Sequence, residues 1–156
     1  MTNPSNRLTD EEYVTAYSLV PRACVDLIIK KSNNVILTLR NIEPHKGKWH
    51  LPGGRLKKDE SVTAAIQRIS HAELGTKVEV SVTRLAGFME FIPDGQLPNG
   101  VYVHSLSLVF LCELLTGELH GSDQSMTVKL FNSSDLPDRV NMIPQHYDLL
   151  RRLLDA

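Results

Sequence analysis

The chain has 156 residues, with 17 Lys plus Arg against 18 Asp plus Glu and a hydrophobic share of 42%. That length suits one domain that buries its apolar surface without staples. The near-zero net charge argues against a nucleic-acid partner held by bulk charge, and no apolar run reaches the length of a membrane span. Cys24 and Cys112 both sit in apolar runs and read as strand thiols, so no disulfide framework is implied. The polar start, Met1 to Asn6, has no signal-peptide core, and a cytoplasmic location is expected.

Taken in chain order, Thr9-Asp-Glu-Glu12 is a capping box and predicts a short helix to Tyr17 or Leu19, ended by Pro21. Residues 1–19 thus form a helical extension ahead of the main body. Arg22 to Lys30 and Val35 to Arg40 read as two strands, joined by the turn residues Ser32-Asn33-Asn34. Asn41 to Leu51 reads as a loop carrying the only tryptophan, Trp49. Pro52-Gly53-Gly54 then allows close approach of backbone to a ligand. Asp59 or Ser61 is placed to cap the next helix, where Val62, Ala65, Ile66, Ile69 and Ala72 or Glu73 repeat at helical spacing and Gly75 is the stop. Lys77 to Phe91, Val101 to Leu115 and Met126 to Phe131 read as strands. A loop bracketed by Pro93-Asp94-Gly95 and Pro98-Asn99-Gly100 lies between the first two. Thr116 to Ser125 is a polar loop holding Glu118, His120, Asp123 and Gln124, and Pro144 opens a final helix through Leu154. Strands interleaved with a central and a terminal helix predict an α/β fold with a mixed sheet between helices.

The segment from Gly54 to Gly75 carries chemistry. Gly54, Glu60, Arg68, Glu73 and Gly75 stand at the spacing of the Nudix box, and the chain resembles the Nudix hydrolases on these residues. Ile69 stands where the pattern has the Glu after the Arg, Ala72 where it has the first Glu of a pair, and Thr76 where it has an aliphatic residue. The resemblance covers roughly residues 20–154 and implies an α/β/α sandwich and divalent-metal hydrolysis of a diphosphate. It also implies Mg²⁺ or Mn²⁺ bound by Glu73 and the Gly53 carbonyl, donors that suit a hard cation, and a structural charge pair between Glu60 and Arg68. Arg55, beside the loop, is a natural bidentate donor to phosphate oxygens.

One branch, the GDP-mannose mannosyl hydrolases, lacks the same two acids and is the closest resemblance. It implies one metal ion, a nucleotide-sugar substrate and a homodimer, to which the N-terminal helix would contribute. On its pattern Asp26, Arg40 and Trp49 are substrate-binding positions, Arg40 also stabilises the leaving diphosphate, and Gln124 is a further metal ligand. The branch's general base falls on Ser125, a poor base at neutral pH, and its leaving-group tyrosine falls on Ser105. His120 or Asp123 would then take the proton. Arg40, Arg55 and Arg68 complete the expected catalytic set, and His71 is expected at the surface. Three functions stay open: hydrolysis of a nucleotide or nucleotide sugar such as GDP-mannose, ordinary pyrophosphohydrolysis with a base from another loop, and a nucleotide-binding sensor without turnover.

Overall fold

The computed structural model describes residues 7–122 and 127–156. Asp123, Gln124 and Ser125 therefore lie outside the described residues. Helix α1 spans Asp10–Leu19, with Thr9 and Glu12 closing the capping box. Strands β1 (Arg22–Lys31) and β2 (Asn34–Leu39) form the expected hairpin. The stretch read as loop contains a very short strand, β3 (Trp49–His50), and a second, β4 (Gly53–Arg55), follows in the glycine segment. Helix α2 (Val62–Leu74) is capped by Ser61, whose hydroxyl accepts from Ala64 N at 3.1 Å, and ends at Gly75 with φ 132°. Strands β5 (Glu79–Phe91), β6 (Ser105–Thr116) and β7 (Thr127–Phe131) follow. Strand β6 begins later than the sequence predicts, because Tyr102 pairs with Gln96 inside the β5–β6 loop. A 3-10 turn at Arg139–Asn141 leads to α3 (Pro144–Leu154).

The sheet runs β3-β2-β1-β6-β5, with β4 paired to β1 and β7 to β2. Strands β1 and β6 are parallel and the other pairs antiparallel, so the sheet is mixed as expected. Strand alternation divides the core. Val25, Leu27 and Ile29 point to the α2 face with Ala65, Ile66 and Ile69, while Ile28, Val109 and Leu37 point to the α3 face with Leu149 and Leu150. Each face is thus covered by a helix. Asp26 shares the Ile28 side of β1 and is a carboxylate placed inside the fold.

Two helix faces differ from expectation. On α2 the buried stripe continues through Ser70 and Leu74, and Ala72 is exposed. On α3 it includes His146, which is fully enclosed. Helix α1 buries no residue.

Candidate active site

Strand β4 lies antiparallel beside β1, with Asp26 opposite Gly53 and Val25 opposite Gly54. A methyl group on Gly53 would overlap the Asp26 carboxylate, so only glycine fits there. Pro52 O accepts from Leu27 N at 2.8 Å and ties the loop to the sheet. On the other side the loop rests on α2, where Ile69 is 1% exposed and its Cγ1 would stand 3.4 Å from a Cβ on Gly54. Isoleucine at this position therefore supports the loop by packing.

Arg68 of α2 binds Glu60 in a fork, Nε to Oε1 at 2.6 Å and Nη2 to Oε2 at 2.9 Å. Its Nη2 also donates to Arg55 O at 2.8 Å. The Arg68 fork holds the Glu60 carboxyl below its ordinary range. Arg68 therefore ties loop to helix and is not among the residues lining the cavity.

A cavity of about 570 Å³ opens above this loop. It brings together Asp26, Arg40, Gly53, Arg55 and Glu73, five of the residues picked out by sequence. Burial raises the Asp26 carboxyl to about 7, opposed by its hydrogen bond from Ser107 and aided by the negative charges of Asp94 and Glu73. Arg40 reaches the carbonyl of Pro44, and Arg55 donates to Tyr17 Oη at 3.1 Å. Among the described residues neither guanidinium is in a salt bridge, so both present positive charge to the cavity. Cys24 also faces it, but burial lifts its thiol to about 11, so it is not a thiolate nucleophile at neutral pH.

Two site residues are placed elsewhere. Trp49 packs edge-on against Phe131 at 4.9 Å and supports the core instead of lining the cavity. His120 is 66% exposed, lies 3.9 Å from Glu118 and also does not line the cavity. His71 is exposed, as expected.

The cavity floor holds histidines that the sequence did not flag. His50 Nδ1 donates to Leu51 O at 2.7 Å, and its Nε2 accepts from the Thr38 hydroxyl at 3.1 Å. His146 Nδ1 accepts from Leu51 N at 3.0 Å. Burial lowers both, His50 to about 4 and His146 well below its ordinary value. Both rings are thus neutral struts under the segment leading to Gly53. His45 is different. It lines the cavity from the β2–β3 loop, with φ 67°, and burial holds it below its ordinary value.

The donor chemistry suits a hard divalent cation. Glu73 has a buried Oε2 facing the cavity region, Asp26 is beside Gly53, and the loop adds backbone carbonyls. Among the described residues no group of three or more His, Cys, Asp and Glu side chains gathers, so a bound ion would complete its shell with water or substrate oxygens.

A mixed sheet between helices, with a glycine loop, arginines and carboxylates lining one cavity, defines an α/β class with a polar ligand site beside the sheet. The chain belongs to the Nudix family: the NUDIX domain matches residues 20–153. It is 32% identical over 128 residues to the low-salt glycan biosynthesis protein Agl8 of Haloferax volcanii, covering 82% of this chain and 81% of that one. It is 34% identical over 119 residues to the ADP-ribose pyrophosphatase of Methanocaldococcus jannaschii, covering 76% of this chain and 66% of that one. A NUDIX hydrolase from Nitrosomonas europaea superposes with TM-score 0.71 at 24% identity, covering 86% of this chain and 70% of that one.

Proposed function

We propose that the chain is a divalent-metal-dependent hydrolase of a nucleoside diphosphate that carries a sugar. The observation that carries this reading is the cavity in which Arg40, Arg55 and the Gly53–Gly54 loop meet Glu73 and Asp26. Two guanidinium groups around a glycine loop suit a diphosphate, and the volume lies in the range of small-ligand sites. The relatives support the sugar. One is named for ADP-ribose, a nucleoside diphosphate bearing ribose, and the other for glycan biosynthesis.

Glu73 and the Gly53 carbonyl would hold the cation, with Gln124 as the third expected ligand. When bound, the ion offsets the charge of the diphosphate as it leaves. Arg40 and Arg55 orient the phosphates, and the Glu60–Arg68 fork keeps loop and helix in register. His45 takes the proton of the attacking water. Among the described imidazoles of the cavity His45 suits this role best, since the rings of His50 and His146 are engaged in the floor; Asp26 is the other titratable group beside the loop. A neutral imidazole is the form a base requires.

GDP-mannose is the finer reading, supported by the two acids that Ile69 and Ala72 replace. ADP-ribose is the second, supported by the archaeal relative. Turnover of both in ¹⁸O water decides between them. Label in the released sugar hydroxyl means cleavage at the anomeric carbon, and label in a phosphate means P–O cleavage. Tight Mg²⁺-dependent binding without release of either product would overturn the hydrolase reading.

A further inference from the structure

Helix α1 precedes the family match, which begins at residue 20, and it contributes no residue to either apolar core. Its side chains are at most partly buried, so no fully buried apolar residue holds it in place. Its two tyrosines meet at one side chain, Arg55. Tyr13 and Tyr17, one helical turn apart, stack edge to face with centroids 4.7 Å apart. The Arg55 guanidinium stands 5.9 Å from the Tyr13 ring and 5.7 Å from the Tyr17 ring, and its Nη1 donates to Tyr17 Oη.

The helix is itself anchored around the cavity rim. Tyr13 Oη accepts from Arg22, whose Nη2 meets Asp94 Oδ2 at 2.8 Å and whose Nε donates to Ser105 at 3.0 Å. Asn99 Nδ2 donates to Ser18 Oγ at 2.9 Å. Tyr13 lines the cavity directly, beside Arg55.

We propose that helix α1 is part of the substrate site, and that Tyr13 and Tyr17 are positioning residues that hold Arg55 as a fork for the diphosphate. The proposal rests on the hydrolase reading above. An arginine side chain samples many rotamers, and a ligand must freeze one of them. Two tyrosine rings and one hydrogen bond fix that rotamer before the ligand arrives, so less binding energy is lost in ordering it. The phenol occupies one of five N–H donors and leaves the others for phosphate oxygens. The rings attract the cation through their faces without neutralising it, as a carboxylate would.

The test uses the full chain. Binding of inorganic pyrophosphate with Mg²⁺ is measured by calorimetry, and KM and kcat are measured on ADP-ribose and GDP-mannose. Removal of a cation–π contact and its hydrogen bond should weaken pyrophosphate about 3- to 30-fold in Tyr17→Leu, with KM rising in parallel and kcat nearly constant. Tyr17→Phe keeps the ring and should recover part of the loss. In an Arg55→Ala background Tyr17→Leu should add nothing, because the tyrosine acts through the arginine. Equal affinity in wild type and Tyr17→Leu would overturn the proposal. So would an additive loss in the Arg55→Ala background, or a fall in kcat that tracks a fall in melting temperature. A wild type that binds no pyrophosphate would instead overturn the hydrolase reading, and the clamp with it.

Discussion

Gly53 is the residue where sheet and site meet. It is paired with Asp26 so closely that a side chain would enter the carboxylate and press on Val25 O at 3.0 Å. Gly53→Ala should cost about 1–3 kcal/mol as overpacking and lower activity sharply, because the loop must move away from β1. Gly54→Ala is the control. Its nearest neighbour would be Ile69 Cγ1 at 3.4 Å, an ordinary contact, and it should be tolerated far better. Urea denaturation and initial rates on the same preparations separate the two. His45 offers a second test at this scale. If it accepts the water's proton, His45→Gln should lower kcat about 10²- to 10⁴-fold, leave KM nearly unchanged and remove the acid limb of the kcat–pH profile. An unchanged kcat would return the base to another group.

At the scale of elements, the segment from β3 to β4 is held from below by His50 on β3 and His146 on α3. Both histidines are neutral in the fold, with values depressed below 6.5, whereas both become charged in the unfolded chain as pH falls through 6.5. The unfolded state then binds more protons, so stability falls as pH drops through 6.5 and goes on falling to about pH 4 for His50 and lower for His146. Asp26 acts in the opposite sense, since its raised value lets the folded state take up a proton near pH 7. Two histidines outweigh one aspartate, so these three groups leave a net slope of about 1.4 kcal/mol per pH unit near pH 5.5, stability rising with pH. His146→Gln should lower the slope of stability against pH by about 1.4 kcal/mol per pH unit near pH 5.5, measured as urea midpoints at several pH values. Asp26→Asn should steepen it by a similar amount.

The same segment marks where the sequence stops being readable. The caps at Thr9 and Ser61, the stop at Gly75 and the start at Pro144 are local chemistry and stand where the residues put them. Strands β3 and β4 are two and three residues long, too short to show a period, and exist through pairing with β2 and β1. Glu73 is legible as a position of one short motif, and Gly53 and Arg55 because they flank the glycine that opens it. The His146 strut and the Arg22–Asp94 bridge join residues 95 and 72 positions apart in paired contacts, and no local pattern encodes them. Trp49 and His120 stand away from the cavity, and only tertiary packing decides which side of the sheet or surface they occupy.

At the scale of the whole molecule, the cavity is where the layers converge. Strands β1, β4 and β6, the β2–β3 and β5–β6 loops, and helices α1, α2 and α3 all contribute residues to its wall. A ligand that fills it therefore bridges elements that otherwise separate on unfolding, and its binding free energy adds to global stability. At about 100 times its dissociation constant, a ligand specific for the folded state adds about 2.7 kcal/mol. ADP-ribose or GDP-mannose with Mg²⁺ should raise the melting temperature by several degrees under conditions of slow turnover. Chelation by EDTA should remove most of that gain, because two arginines alone must then hold the diphosphate. Glu73→Gln should keep the fold, since glutamine preserves the shape, yet should lose both the metal-dependent increment and more than tenfold in kcat/KM. Thermal melts with and without Mg²⁺, run on wild type and Glu73→Gln, check this directly. A Glu73→Gln protein with the full metal-dependent shift would place the cation elsewhere in the cavity and remove Glu73 from its shell.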